Sequence, residues 1–316
     1  MSTFDNKLTW SSKYSPSVTA FILLFVAFVG FILIGPVIGM LLGFLTYDGD
    51  LSAYYQQVLS NPMGDVALKL PLFILQGTAT LMGFIIFPAL FMVFHERQAI
   101  NTFFTRIKFS SKLLWLTPII GLAFMGFNAF FVEWNANLSL PGFLEEFEQT
   151  ARAFEDRAME MTMYLTEFDS VAMLILGLIV IAVIPGIGEE LVFRGFLQNY
   201  FHRSSKNIHF AIWASAFLFS AMHMQFFGFV PRLLLGALFG YLYYWSGNLT
   251  FPVIAHIFNN GFTLVMMYLH QQSLTNLDIE STESVPLLYV GISTILVVIL
   301  LIYFRKVCML QFKNNR

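Results

Sequence analysis

The segment IPGIGEELVFRGFLQNY, residues 184–200, places Glu189, Glu190 and Arg194 inside an otherwise apolar stretch of the chain. Removing a charged group from water is costly unless a partner compensates it. Charged side chains inside membrane helices are therefore rare, and they commonly mark functional sites. The segment predicts a polar site within an apolar helix.

The composition around this segment is that of a membrane protein. The chain has 316 residues, of which 57% are hydrophobic, 17% aromatic and 11% charged, whereas roughly 25% are charged in an ordinary soluble domain. Its net charge of −2 includes no basic run of the kind that nucleic acid requires. The single cysteine, Cys308, excludes an intramolecular disulfide and a cysteine-rich metal cluster.

Eight apolar blocks are each about long enough to cross the hydrocarbon core of a bilayer as a helix. They predict an all-α polytopic membrane protein with spans at 18–45, 70–94, 113–132, 171–200, 208–226, 230–245, 251–269 and 285–304. We divide the chain into an N-terminal part (1–169), a core of four spans (170–270) and a final span with a basic tail (271–316).

The charges between the spans alternate in sign, which predicts the topology. Because cytoplasmic loops gather Lys and Arg, an even number of spans places both termini in the cytoplasm, in a bacterial cell membrane. The basic set is Lys7, Lys13, Arg97, Arg106, Lys108, Lys112, Arg203, Lys206, Arg305, Lys306, Lys313 and Arg316. The opposite set comprises Asp48, Asp50, Asp65, the acidic stretch 133–169, Asp278, Glu280 and Glu283.

Residues 141–166 form a polar segment with apolar residues near helical spacing, among them Phe143, Phe147, Phe154, Ala158 and Met161. This pattern predicts an amphipathic helix on the non-cytoplasmic surface. An exposed connector is the simpler interpretation, and a helix that gates access of a substrate is the alternative.

Side-chain spacing within residues 184–200 suggests a division of roles. Glu190 and Arg194 are i,i+4 neighbours on one helical face, whereas Glu189 points about 100° away. We therefore expect Glu190 to pair with Arg194 and Glu189 to stay free as a general base. A structural ion-pair cluster is the alternative.

Two further i,i+4 pairs follow in later spans. Phe219 and His223 lie in FLFSAMH, and His256 and Asn260 lie in HIFNN, with Asn259 expected to turn away from that face. A lone histidine in such a span is about as often a hydrogen-bonded core residue as a functional one.

A turn at HRSSKN, residues 202–207, would make the fourth and fifth spans antiparallel. Glu189 and His223 then reach the same height, because each residue adds about 1.5 Å along a helix. A carboxylate, two imidazoles and an amide around one cavity favour attack of an activated water on an amide carbonyl.

The motifs GEELVFRGFLQ, FLFSAMH and HIFNN, in this order over about a third of the chain, resemble the EExxxR, FxxxH and HxxxN motifs of the CPBP (Abi) family. This family comprises CAAX prenyl endopeptidases and bacteriocin-processing or self-immunity proteins. The resemblance implies an intramembrane endopeptidase whose substrate is a prenylated C-terminus, a secreted peptide precursor or a membrane protein. Two alternatives are a proton-coupled transporter and a non-catalytic immunity or scaffold protein.

The resemblance also implies roles for individual residues. Glu189 would be the general base and His223 would hold the attacking water, while Glu190 and Arg194 support the base. His256 and Asn260 would form the oxyanion site. A zinc-dependent variant would use Glu189, His223 and His256 as ligands; we favour a mechanism without a cofactor, because Arg194 already balances the second carboxylate.

Overall fold

The computed structural model describes residues 14–104, 111–276 and 285–314, with side chains up to residue 311. Helices make up the regular structure of these residues, and no strand occurs among them. The predicted all-α class is confirmed. Several charged residues used to predict the topology lie outside this described part, namely Lys7, Lys13, Arg106, Lys108, Asp278, Glu280, Glu283, Arg316 and the side chain of Lys313.

We number the principal helices in chain order. They are α1 (Pro16–Phe44), α2 (Leu51–Ser60), α3 (Val66–Phe94), α4 (Ser111–Ala136), α5 (Glu145–Thr166), α6 (Val171–Ser205), α7 (Ile208–Ala221), α8 (Phe229–Ser246), α9 (Thr250–Gln271) and α10 (Leu287–Asn314). Short 3₁₀ turns at Ile100–Phe103 and Gly142–Leu144 precede α4 and α5.

Six helices of the described chain, α1, α3, α4, α6, α9 and α10, are long and apolar enough to cross a membrane. The prediction of eight spans is not confirmed. Helix α7 ends at Ala221 after 14 residues, or about 21 Å at 1.5 Å per residue, which is short of the hydrocarbon thickness. Helix α8 has 18 residues, but Pro231, Arg232 and its tyrosines lower its hydropathy. The fold is that of a polytopic membrane protein.

Prolines within the long helices are accommodated by π-helical turns. Such turns occupy Gly30–Ile34, Leu81–Ile86 and Leu178–Val183, each ending two residues before Pro36, Pro88 or Pro185. A proline has no N–H and its ring crowds the preceding turn, and a wider turn relieves both problems. The chain therefore passes Pro185 by a π turn within one continuous helix of 35 residues.

A close approach of α6 to α9 sets the geometry of the site. A Cβ atom added at Gly186 would lie 2.6 Å from Ile257 Cγ1, so only glycine allows this spacing. The second half of α6 also packs against α3, α7 and α8 in one buried core, through Phe84, Phe219 and Tyr243. Helix α6 is thus surrounded by its neighbours over its polar segment.

The tight turn between α6 and α7 confirms the predicted antiparallel pair. Lys206 caps α6 in the left-handed conformation at φ 57°, and Asn207 caps the start of α7 by accepting from the backbone N–H of His209 and Phe210. Glu189 lies 16 residues before Ser205, about 24 Å along the axis. His223 follows the end of α7 at a similar height.

Candidate active site

Glu190, Arg194 and His256 form one buried polar cluster. Glu190 Oε1 accepts hydrogen bonds from Arg194 Nη1 at 2.6 Å and from His256 Nδ1 at 2.8 Å. The side chains of Glu190 and Arg194 are fully buried, and that of His256 is 4% exposed. The expected i,i+4 pair is present, and the structure adds an imidazole from a helix 66 residues further along the chain.

Aromatic rings enclose the guanidinium of Arg194. Its Cζ lies 4.5 Å from the ring centre of Phe219 and 5.3 Å from that of Phe239. Arg194 Nη2 also donates to the Gly236 carbonyl at 3.0 Å. Cation–π contacts and hydrogen bonds together compensate a charge held away from water. Phe239 also stacks on His256, with ring centres 5.1 Å apart. The sequence did not single out Phe239, because an aromatic residue in an apolar helix carries no distinguishing signal.

Glu189 is set apart from this pair, as the sequence analysis expected. Its side chain is 15% exposed, and its Oε2 lies 4.0 Å from His256 Nε2. That distance is too long for a hydrogen bond, and the buried Oε2 atom has no hydrogen-bond partner among the described residues. His256 therefore turns one ring nitrogen to Glu190 and the other towards Glu189.

His223 lies in the turn that follows α7. Its Nδ1 is 2.8 Å from the Phe219 carbonyl oxygen. A carbonyl can only accept, so Nδ1 carries the proton and Nε2 of the neutral ring is an acceptor. The Phe219 ring makes T-shaped contacts with both imidazoles, its centre lying 5.2 Å from that of His223 and 5.8 Å from that of His256. This shared contact with Phe219 brings His223 close to His256, whose Nε2 faces Glu189.

Asn260 makes a contact that its spacing did not predict. Its Nδ2 donates to the Ile181 carbonyl at 3.1 Å, in the π turn that precedes Glu189. Asn259 Nδ2 donates to Asn260 Oδ1 at 3.2 Å, so the two side chains are in contact although their positions lie about 100° apart on the helix. The hydrogen bonds of Asn260 thus join α9 to α6 beside the polar segment.

A second π-helical segment, Leu191–Leu197, carries Arg194. Side chains bind three successive carbonyls of this wide turn. Ser215 Oγ donates to Phe193 O at 2.7 Å, and Asn199 Nδ2 donates to Arg194 O at 3.2 Å and to Gly195 O at 2.7 Å. The sequence did not single out either side chain, because a serine and an asparagine in helices have many other uses.

The alternative zinc site requires Glu189, His223 and His256 to converge as ligands. Within the described ranges, no group of three or more His, Cys, Asp and Glu side chains is arranged to hold a metal ion. His256 Nδ1 is already bonded to Glu190, and Glu189 is 4.0 Å from the other ring nitrogen. The Nδ1 bond leaves Nε2 of His256 open, but the described side chains are not gathered into a three-ligand centre.

The fold and site together define a polytopic, all-helical integral membrane protein with a buried site of carboxylates and imidazoles. Residues 171–262 match the family model described as type II CAAX prenyl endopeptidase Rce1-like. This match confirms the resemblance to the CPBP family in the segment that carries all three motifs.

A curated relative covers a smaller part of the chain. An 83-residue stretch is 29% identical to the uncharacterized protein YpbD of Bacillus subtilis (strain 168), which corresponds to 25% of this chain and 39% of that protein. The chain therefore spans well under half the length of this relative. No solved structure gives a significant match.

Proposed function

We propose that this protein is an intramembrane endopeptidase that hydrolyses a peptide bond with a water activated by Glu189. The observation that carries the proposal is the buried Oε2 of Glu189, which has no hydrogen-bond partner in the described chain and faces His256 Nε2 at 4.0 Å. We place the attacking water between these two atoms, where it would lie about 2.8 Å from each. Such a water is polarised by a carboxylate that the neighbouring ion pair does not neutralise.

In the proposed reaction, Glu189 accepts a proton as the oxygen of this water bonds to the carbonyl carbon of the substrate. His223 assists through Nε2, which is free to accept a hydrogen bond from water when the ring is neutral. The carbonyl oxygen becomes an oxyanion. Glu189 then passes the proton to the leaving amine as the carbon–nitrogen bond breaks, which regenerates the carboxylate.

His256 and Asn260 are proposed to stabilise the oxyanion. When His256 is protonated, its Nδ1–H stays with Glu190 and its Nε2–H is available to the developing charge. Asn260 uses one amide hydrogen for Ile181 and keeps a second. Prepositioned donors in a site that excludes water contribute strongly to such reactions. Glu190 and Arg194 hold His256 in place and balance each other's charge.

For the substrate, we propose a peptide or membrane protein that reaches the site from the bilayer. A prenylated CAAX C-terminus is the first candidate, because the family model that matches residues 171–262 describes CAAX prenyl endopeptidases. A secreted peptide precursor is the second. The amide bond is common to both, so the same residues would act on either.

The test uses purified protein in lipid nanodiscs with a farnesylated CAAX peptide and a panel of membrane-protein substrates. We expect Glu189→Gln and His223→Ala each to abolish cleavage while the protein remains folded and monodisperse. The matched control is Glu160→Gln, at an exposed glutamate of α5, which should retain full activity. Full cleavage by Glu189→Gln would refute the proposal.

The substrate itself is found by comparing membrane proteomes of cells that express the wild-type protein or Glu189→Gln. A cleaved species present only with the wild type identifies a substrate. If neither the peptides nor the proteome show a difference, the non-catalytic immunity or scaffold alternative replaces the proposal.

A further inference from the structure

The backbone that follows His223 is an irregular segment without a helix of its own. Residues 222–228, here called the His223 loop, connect α7 to α8. Met224 within it has φ 55°, a conformation that non-glycine residues adopt only when their surroundings enforce it. The position of His223 therefore depends on what holds this loop.

Helix α5 supplies direct contacts to the loop. Glu155 Oε1 accepts a hydrogen bond from the backbone N–H of Phe227 at 2.8 Å. The guanidinium of Arg152 lies over the Phe227 ring, 3.8 Å from its centre. Phe147 meets Phe226 edge-on at 5.5 Å. These three side chains lie on successive turns of α5, so the helix lies along the loop.

Helix α5 is itself anchored next to the end of α4. Arg152 bonds to Glu148 Oε1 at 2.9 Å and to the carbonyls of Leu138 at 2.6 Å and Ala136 at 3.3 Å. Glu148 Oε2 accepts from the Leu140 N–H at 2.7 Å. One arginine thus joins the α4–α5 connection to the His223 loop. Helix α5 is therefore held in place by specific polar contacts. An exposed connector would not need such contacts.

The side of the loop next to α4 and α8 is fixed as well. Asn135, which is 1% exposed, donates from Nδ2 to the Phe226 carbonyl at 3.2 Å and accepts from the Val230 N–H at 2.8 Å. Arg232 of α8 binds the backbone and side chain of Gln225. The loop is therefore held between α8 and α4 on one side and α5 on the other.

We propose that α5 sets the position of His223 relative to Glu189 through this loop, with Glu155 and Arg152 as positioning residues. The inference rests on the proposed function and deepens it. Both residues precede the segment 171–262 that matches the family model, so that match assigns them no role. Neither residue touches the reacting atoms; they act by restraining Phe227, four residues beyond His223.

The experiment compares Glu155→Ala, which removes the acceptor for Phe227, with Glu155→Gln, which retains one. The control is Glu160→Ala, at an exposed site one turn further along α5. We expect Glu155→Ala to lower kcat about tenfold or more with little change in KM, Glu155→Gln to restore most of the activity, and Glu160→Ala to match the wild type. Arg152→Ala should resemble Glu155→Ala, with Arg157→Ala as its control.

A second readout does not depend on proteolysis. In protein with ¹⁵N-labelled histidine, Glu155→Ala should change the chemical shifts and titration midpoint of the His223 ring, whereas Glu160→Ala should not. An unchanged His223 signal in Glu155→Ala would overturn the inference, and so would an unchanged kcat in an active enzyme. If the wild type cleaves no substrate but the His223 signal responds as expected, the proposed function fails while the coupling of α5 to His223 stands.

Discussion

Glu190 Oε1 and His256 Nδ1 are 2.8 Å apart although 66 residues separate them in the chain. The same oxygen accepts from Arg194 at 2.6 Å, so one carboxylate organises both a cation and an imidazole. The second ring nitrogen of His256 is thereby directed to Glu189. His256 thus links the buried Glu190–Arg194 ion pair to Glu189, the carboxylate that we propose as the general base.

Glu190→Gln is predicted to destabilise the protein far more than Glu189→Gln. It leaves the fully buried Arg194 without its counter-ion, and breaking a buried ion pair from one side costs about 3–5 kcal/mol. Glu189 has no such partner, so its substitution should leave the unfolding temperature near the wild-type value. Thermal unfolding of both variants in the same detergent measures the difference, and equal unfolding temperatures would contradict the division of roles.

Asn199→Ala is predicted to lower the free energy of unfolding by about 1–3 kcal/mol, because two buried carbonyls of the π segment lose a donor. Activity should fall too, since that segment carries Arg194. Asn137→Ala is the matched control, because Asn137 is exposed just after α4 and its side chain donates to the Glu133 carbonyl of that helix. The measurement is unfolding in denaturant monitored by tryptophan fluorescence. No loss of stability in Asn199→Ala would show that the π turn does not need this donor.

Asn260→Asp is predicted to destabilise the protein by more than Asn260→Ala. The aspartate would direct a carboxylate at the Ile181 carbonyl, whereas alanine only removes a bond worth about 1 kcal/mol. Both variants should lose activity. The stability of each is measured by thermal unfolding. If activity falls while both Asn260 variants keep wild-type stability, Asn260 acts only on the oxyanion and its bond to α6 does not contribute to stability.

Docking of α5 is predicted to survive mild acid. The Leu140 N–H, and then the Arg152 guanidinium, lower the pKa of Glu148 below its usual value. A lowered folded-state pKa gives stability that is present above the unfolded-state pKa and lost as the pH falls through the folded-state pKa. Hydrogen exchange of the Leu140 amide, corrected for its intrinsic pH dependence, should stay slow until the pH falls below the usual range of glutamate. Glu148→Gln should remove this dependence.

Exhaustive chelation is predicted to leave proteolysis intact, with no stoichiometric zinc in the purified protein. The physical reason is that Arg194 already balances the charge of Glu190, so the cluster needs no cation for charge balance. Elemental analysis and cleavage assays on the same preparation make the measurement. Loss of activity that added zinc restores would establish the metal-dependent alternative.

The sequence alone determined the helical class, the Glu190–Arg194 pair and the turn before α7. Each depends on local regularities, which are the length of an apolar block, the i,i+4 spacing and the signals at a helix end. The same regularities predicted eight spans, a number that the described helices do not confirm, because the apolar run from 208 to 226 does not reveal that its helix ends at Ala221.

Tertiary structure decided which distant side chains meet. The packing of α5, α6 and α9 brings His256 to Glu190, Asn260 to Ile181 and Glu155 to Phe227. Such contacts depend on the shape of several helices at once, including the close approach that Gly186 permits. No spacing within a single segment encodes them. The charged segment at 184–200 thus predicted a polar site, and the packing of the helices determined which residues contact it.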